Sequence, residues 1–260
     1  MCERLVLRSG QPAFGSALIY MVITFSLLAF IFTLAGSLLV IKYGGLNRKF
    51  LAWSLAFSSG VLVSVAFMDI LPAGAALDPG RLYAGCLTAL LILFLVESFT
   101  VVHSCNEVME DCYVHSLGTV AFISLSLHAL TDGVNIAVGA QTGGILGMNI
   151  TLGVILHKFS GGVALASLLL RSGRPLRSAF WMCFAFALMT PAGALVTTPL
   201  LSGISDPGMA LLLGLSGGSF IYIAMADILP ELHKNHDKLS RFIYPLGYAT
   251  VYLIKKLGTL

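Results

Sequence analysis

The sequence predicts a single all-α membrane domain over residues 1–260, with eight transmembrane helices. The 260 residues are 57% hydrophobic and only 10% charged, and their mean hydropathy is +0.93. Soluble domains carry about a quarter charged residues, so these values exclude a soluble globular protein. The net charge of +3 is too small to indicate a nucleic-acid partner, and the predicted surroundings are therefore a lipid bilayer.

Eight apolar segments divide the chain. A helix needs roughly 20 mostly apolar residues to cross the core of a bilayer. The last of the eight segments is the shortest. It contains Pro245 and ends in Lys255 and Lys256, whose ammonium groups can snorkel to the membrane interface. The predicted spans are 18–41, 50–72, 82–102, 117–140, 148–170, 176–199, 209–230 and 242–256.

The distribution of basic residues predicts the orientation. Eight spans place both termini on the same side of the membrane, and the opposite side carries more Lys and Arg. The positive-inside rule then places the 1–2, 3–4, 5–6 and 7–8 connections in the cytoplasm. Both termini are expected to be extracellular, periplasmic or lumenal.

Spans 2 and 7 share a repeated segment. Residues 66–72 read Ala-Phe-Met-Asp-Ile-Leu-Pro, and residues 224–230 read Ala-Met-Ala-Asp-Ile-Leu-Pro. Upstream, Ser58 matches Ser216 at the same offset. Because the two spans enter the membrane from opposite sides, the repeat is inverted, which is typical of secondary transporters.

Ionisable residues within spans 4 and 5 form a candidate metal site. His128 and Asp132 are four residues apart and share one helix face, while His157 lies midway along the next span. Two imidazoles and one carboxylate suit Zn²⁺ or Fe²⁺, and ionisable groups inside a membrane are functional candidates because they are costly there. Thr131 and Asn135 lie near the same face as candidate pathway or supporting residues. The alternative is a hydrogen-bonded His–Asp pair that only ties the helices together.

These motifs resemble those of a known family. Residues 128–133 (His-Ala-Leu-Thr-Asp-Gly) and 157–162 (His-Lys-Phe-Ser-Gly-Gly) resemble the paired fourth- and fifth-helix motifs of the ZIP (Zrt-, Irt-like) metal transporters. The two Asp-Ile-Leu-Pro segments resemble that family's second and seventh helices. The resemblance implies a 3+2+3 arrangement, in which spans 1–3 and 6–8 form inverted repeats around spans 4 and 5.

The resemblance also implies a function. It predicts a transporter rather than an enzyme, which moves a divalent metal ion towards the cytoplasm and forms a homodimer. It assigns His128, Asp132 and His157 as the metal ligands. The metal is cargo rather than a cofactor, with Zn²⁺ the expected ion and Fe²⁺ or Mn²⁺ as further candidates.

Lys158 departs from the family pattern, in which a glutamate often follows the histidine of the fifth helix. A site for two metal ions needs bridging carboxylates, and this chain keeps one, Asp132. The Lys158 ammonium would lie near the second metal position as a tethered cation. We therefore expect a single bound ion, and a mid-span Lys158 that pairs with a carboxylate such as Asp132.

Two further carboxylates are candidate pathway residues. Asp69 and Asp227 each precede a proline by three residues, and each proline leaves a helical carbonyl without its donor. An aspartate beside such a break can line a wet entrance or exit, although a capping or packing role is the alternative. Glu231, which follows span 7, is a further pathway candidate.

The connection over residues 103–116 is a polar, cytoplasmic loop that contains four candidate metal ligands, namely His103, Cys105, Cys112 and His115. Cytoplasmic thiols stay reduced, so metal binding there is chemically feasible. Their spacing matches no standard zinc module, which favours a solvated linker.

Other functions stay open on the sequence alone. An intramembrane hydrolase could use His128, Asp132 and His157 to hold a water-activating zinc ion. No second group of base and oxyanion donors is visible in the sequence, which argues against it. A carrier or receptor for another substrate is the remaining alternative.

Overall fold

A computed structural model describes residues 16–43, 48–105, 110–228 and 239–258. Within these ranges the chain forms helices joined by short turns, and no strand occurs there. We number eight helices: α1, Ser16–Tyr43; α2, Arg48–Val65, continued by a π turn at Ala66–Ile70 and by Leu71–Leu77; α3, Pro79–Cys105; α4, Glu110–Thr142; α5, Gly144–Arg171; α6, Leu176–Thr197, followed by a 3₁₀ turn at Thr198–Leu201; α7, Asp206–Tyr222, followed by a π turn at Ile223–Ile228; and α8, Ser240–Gly258.

Seven of these helices, α1 to α7, are long and apolar enough to cross a membrane. The prediction of an all-helical, multi-pass membrane protein is therefore confirmed. The helix α8 is not among the seven. Its 19 residues include Arg241, Lys255 and Lys256, so a crossing by α8 stays a prediction.

Helices α3 and α4 extend further than the predicted spans. Residues 103–105 lie in α3 and residues 110–116 lie in α4, so helix occupies most of the expected loop. Residues 106–109 lie outside the described residues. The segment 103–116 contains neither Gly nor Pro, so nothing in its sequence terminates a helix once the chain leaves the apolar region.

Four closely packed helix pairs build the bundle, and each pair crosses at two glycines. A Cβ atom at any of these glycines would overlap a main-chain carbonyl of the other helix. Small residues allow this close approach in membrane helices, where dispersion contacts drive association. The crossings are Gly36/Gly162 between α1 and α5, Gly60/Gly247 between α2 and α8, Gly85/Gly214 between α3 and α7, and Gly133/Gly193 between α4 and α6.

The two repeated segments each contain a π turn. One turn covers Ala66–Ile70 in α2, and the other covers Ile223–Ile228 in α7. In α2, Pro72 has no N–H to donate to the Met68 carbonyl, and its ring displaces that carbonyl, so the helix widens locally. Pro230, the matching proline, lies outside the described residues.

Helix α5 carries the polar residues that position the site. It packs against α1, α2 and α4, which surround it in the bundle. Four of its buried polar side chains face neighbouring helices, namely Asn149, His157, Lys158 and Ser160. The predicted site residues of α4 and α5 therefore lie in the interior rather than against lipid.

Candidate metal-transport site

Three predicted ligands meet between α4 and α5. The Nε2 atoms of His128 and His157 each lie 3.1 Å from Oδ2 of Asp132. One ligand atom from each residue lies within 4.8 Å of the others. A tetrahedral zinc ion with bonds of about 2.1 Å holds its ligands about 3.4 Å apart, so the cluster needs little rearrangement to accept an ion. Asp132 and His157 are buried, whereas the His128 side chain is 13% exposed.

Helical geometry orients both imidazoles. His128 precedes Asp132 by one turn of α4, and the Thr131 hydroxyl donates to the His128 carbonyl at 2.7 Å. On α5, the Nδ1 of His157 lies 2.9 Å from the Gly153 carbonyl oxygen, one turn earlier. A carbonyl oxygen can only accept a hydrogen bond, so we assign the proton of the neutral imidazole to Nδ1 and the lone pair to Nε2.

This tautomer leaves acceptor atoms that a metal ion can bind. In this tautomer, Nε2 of His157 directs a lone pair towards Asp132 Oδ2 at 3.1 Å, so both atoms can bind the same metal ion. The other carboxylate oxygen, Oδ1, is buried without a hydrogen-bond partner among the described residues, as is Nδ1 of His128. Leaving a buried carboxylate oxygen unpaired costs free energy, part of which a metal ion bound to Asp132 would recover. The donor set therefore fits a transition-metal ion.

Lys158 supplies a positive charge at this cluster. Its Nζ lies 2.6 Å from Asp132 Oδ2, and the side chain is only 2% exposed. The ammonium also lies 5.7 Å from the centre of the Phe186 ring on α6, within range of a cation–π contact. The pairing of Lys158 with Asp132 that the sequence predicts is therefore present in the structure.

Asn135 lies one turn beyond Asp132 but contacts α7 rather than the ligands. Its Oδ1 accepts a hydrogen bond from the Ser216 hydroxyl at 2.6 Å, and its Nδ2 lies 3.5 Å from the Ser219 hydroxyl. The hydroxyls of Ser58 and Ser160 lie 2.6 Å apart and join α2 to α5. Polar contacts thus connect both site helices to the two repeated helices.

Sequence reasoning missed two aromatic neighbours and one carbonyl. Phe220 on α7 presents its ring 6.1 Å from that of His157, and Phe186 lies over Lys158. The two phenylalanines lie on α6 and α7, and no local sequence pattern indicates that these helices pack beside the site. The Gly153 carbonyl could have been found, because it lies four residues before His157 on the same helix.

Asp69 lies at a second polar cluster, away from the three ligands. Its Oδ1 accepts hydrogen bonds from Asn149 Nδ2 at 3.3 Å and from Lys255 Nζ at 3.0 Å. The Lys255 ammonium, which the sequence suggests can snorkel to the interface, pairs with Asp69 while its side chain remains 38% exposed. The ammonium also donates to the Met68 carbonyl, whose usual helical donor is missing because residue 72 is a proline.

The other predicted candidates lie at helix ends or outside the described residues. Asp227 lies in the π turn of α7, but its side chain is outside the described ones, and Glu231 lies outside the described residues altogether. His103 and Cys105 end α3, and Cys112 and His115 begin α4, with side chains that are likewise not described. Metal binding by these four residues stays a prediction.

Comparison with known proteins places these features in a family. The family model described as "ZIP Zinc transporter" matches residues 105–255, which include α4, α5, α6, α7 and most of α8. The chain belongs to the ZIP family. That family consists of transporters, so the prediction that the chain is not an enzyme is confirmed and the intramembrane hydrolase is excluded. Family membership also supports the predicted transport of a divalent metal ion.

Individual ZIP relatives cover different shares of the chain. The zinc transporter ZupT of Chlorobium limicola is 27% identical over 259 residues, which cover 90% of this chain and 97% of the relative. The human zinc transporter ZIP3 is 32% identical over 133 residues, or 49% of this chain and 42% of the relative. The zinc transporter ZIP1 of Danio rerio is 30% identical over 161 residues, or 59% of this chain and 52% of the relative.

Proposed function

We propose that this chain carries Zn²⁺ across a membrane towards the cytoplasm and that His128, Asp132 and His157 hold the ion on its way. The observation that carries the proposal is the convergence of both imidazole Nε2 atoms on one oxygen of a fully buried carboxylate. The relatives described above are named zinc transporters, which supports zinc as the cargo. Fe²⁺ and Mn²⁺ are alternative cargo, to be tested by competition.

The site is proposed to hold one ion. Its three protein ligands leave a coordination position for water, and an ion with an open position can leave again. A second ion would need another bridging carboxylate, but Lys158 supplies a positive charge at that place. Two divalent ions beside one ammonium and one carboxylate would be strongly repulsive at this depth.

Lys158 also gives the empty site a balanced charge. With no metal bound, the Asp132 carboxylate and the Lys158 ammonium form a neutral pair. A buried carboxylate without a partner would be costly, so the pair stabilises the carrier when it is empty. When a divalent ion binds Asp132, it repels the ammonium, which must withdraw from Oδ2. Metal and lysine are thus proposed to alternate on the same oxygen.

The direction of transport follows from the predicted orientation. The distribution of basic residues predicts a cytoplasmic 5–6 connection and both termini on the other side, and the family resemblance implies movement of metal into the cytoplasm. The same resemblance predicts a homodimer, which the mass of the detergent-solubilised particle would test.

Uptake of ⁶⁵Zn²⁺ into liposomes that contain the purified protein tests the ligand assignment. His128→Ala, Asp132→Asn and His157→Ala should each reduce uptake to the level of empty liposomes. Asp206→Asn is the matched control, because this exposed carboxylate lies at the start of α7, and its uptake should equal that of the wild type. Size-exclusion profiles of all variants report folding. Wild-type uptake by the three ligand variants would refute the assignment.

A further inference from the structure

The π turn of α2 presents two oxygen atoms to one cation. Because residue 72 is a proline, the Met68 carbonyl has no N–H partner one turn further along the helix. The Asp69 carboxylate follows immediately and is buried. Lys255 Nζ lies 2.5 Å from the Met68 carbonyl oxygen and 3.0 Å from Asp69 Oδ1. A helix break has therefore created an oxygen-lined cation position, which an ammonium group occupies in this structure.

This position has coordinating capacity that the ammonium does not use. Asp69 Oδ2 is buried and has no hydrogen-bond partner among the described residues. Asn149 from α5 also reaches the carboxylate, and a rotation of its amide would present its oxygen in place of its nitrogen. Both carboxylate oxygens, the amide oxygen of Asn149 and the Met68 carbonyl together form the kind of oxygen set that holds divalent cations.

The ammonium at this position can leave. Lys255 lies in the last turn of α8, and its side chain is 38% exposed, so it can reach water without unfolding the helix. Lys158, in contrast, is 2% exposed at the central site. A metal ion can displace the ammonium of a lysine that borders water into the solvent. The ammonium of a buried lysine must instead move to another position within the bundle.

We propose that Asp69, the Met68 carbonyl and Asn149 form a second, weaker site for a divalent metal ion, and that the Lys255 ammonium fills it until the ion displaces it. The identification of this ion as cargo rests on the function proposed above. The absence of nitrogen and sulfur ligands makes the site weaker for Zn²⁺ than the cluster of His128, Asp132 and His157. In the predicted orientation it lies towards the side of the termini, where it would receive an ion before the central site does.

Binding of Zn²⁺ to purified protein whose central site has been disabled tests this proposal. The double substitution His128→Ala and His157→Ala removes both nitrogen ligands but keeps the pair of Asp132 and Lys158. In this background, Lys255→Met should bind one Zn²⁺ at least roughly tenfold more tightly than the background alone, because the competing charge is gone. Addition of Asp69→Asn should abolish the gain, and Lys256→Met, which removes the adjacent exposed lysine, should give none.

Acylation of lysines, measured by mass spectrometry, gives a second readout that does not depend on the stability of the Lys255 variant. In the same double-substituted protein, Zn²⁺ should increase the labelling of Lys255 several-fold and leave that of Lys256 unchanged. With Asp69→Asn, labelling of Lys255 should be high and insensitive to Zn²⁺. Failure of both Zn²⁺ responses would overturn the proposal. Because neither experiment uses the central ligands, that failure would leave the liposome test of those ligands unaffected.

Discussion

The Lys158 ammonium lies 2.6 Å from Asp132 Oδ2, the same oxygen that the Nε2 atoms of His128 and His157 approach. One carboxylate oxygen is therefore shared by the proposed metal ligands and by a cation that belongs to the protein. Any ion that binds Asp132 through this oxygen competes with Lys158. Substitutions of Lys158 test how its charge, and the space that its side chain occupies, affect metal binding at Asp132.

Removal of the charge should make the protein depend on metal for stability. Lys158→Met leaves Asp132 buried without its partner, which should cost about 3 kcal/mol in the metal-free protein. Saturating Zn²⁺ should recover this loss, so the metal-induced increase in melting temperature should be larger than in the wild type. Thermal unfolding in detergent, with and without Zn²⁺, measures both effects.

Lys42→Met is the control for this experiment, because Lys42 is exposed at the end of α1. It should change neither the stability of the metal-free protein nor the increase caused by Zn²⁺. Equal increases in the wild type and in Lys158→Met would show that metal and ammonium do not compete for Asp132.

A carboxylate at position 158 should create room for a second ion. Lys158→Glu replaces a tethered cation with an oxygen ligand beside Asp132, so the bound metal should rise from one ion per chain towards two. Elemental analysis of purified protein after equilibration with Zn²⁺ gives the count. Two ions bound at this cluster in the wild type would contradict the single-ion site, and one ion in Lys158→Glu would mean that position 158 lies outside coordination range.

Much of the central site could be predicted because local rules determine it. The spacing of His128 and Asp132 fixes their shared face, and the need of a buried lysine for a counterion indicates the contact of Lys158 with Asp132. Pro72 likewise predicts a disturbed helix near Asp69. The partner of Asp69 could not be predicted, because Lys255 reaches it only through the packing of α8 on α2.

The contacts of two repeated serines also needed the structure. Ser58 and Ser216 occupy matching positions in the repeated segments, and each forms a 2.6 Å hydrogen bond to one helix of the central pair. Ser58 meets Ser160 on α5, and Ser216 meets Asn135 on α4. These corresponding contacts support the inverted repeat that the sequence predicts. The sequence could not identify them, because a hydroxyl in an apolar helix can bond to its own main chain equally well.

The glycine crossings should be far more sensitive to substitution than neighbouring glycines. In Gly162→Ala, the new methyl group would overlap the Thr33 carbonyl of α1, which should cost about 1–3 kcal/mol as the helices separate. In Gly161→Ala, the methyl group would have Phe186 as its neighbour at 3.7 Å, an ordinary contact, and alanine favours the helix.

Thermal unfolding of the two single variants under identical conditions measures this difference. Gly162→Ala should melt below the wild type, and Gly161→Ala should melt at or above it. Equal melting temperatures would show that α1 and α5 can move apart at Gly162 without loss of stability.

Exposed positions on two described turns should react from opposite sides of the membrane. Arg171 ends α5 and is predicted to face the cytoplasm, whereas Ser202, in the turn between α6 and α7, is predicted to face the side of the termini. Both are exposed, so Arg171→Cys and Ser202→Cys in an otherwise cysteine-free protein offer comparable thiols.

In intact cells that carry the protein in the plasma membrane, a membrane-impermeant maleimide should label position 202 only. Permeabilised cells should label both positions, which controls for reactivity. Labelling of position 171 alone in intact cells would reverse the orientation, and with it the proposed direction in which Zn²⁺ crosses.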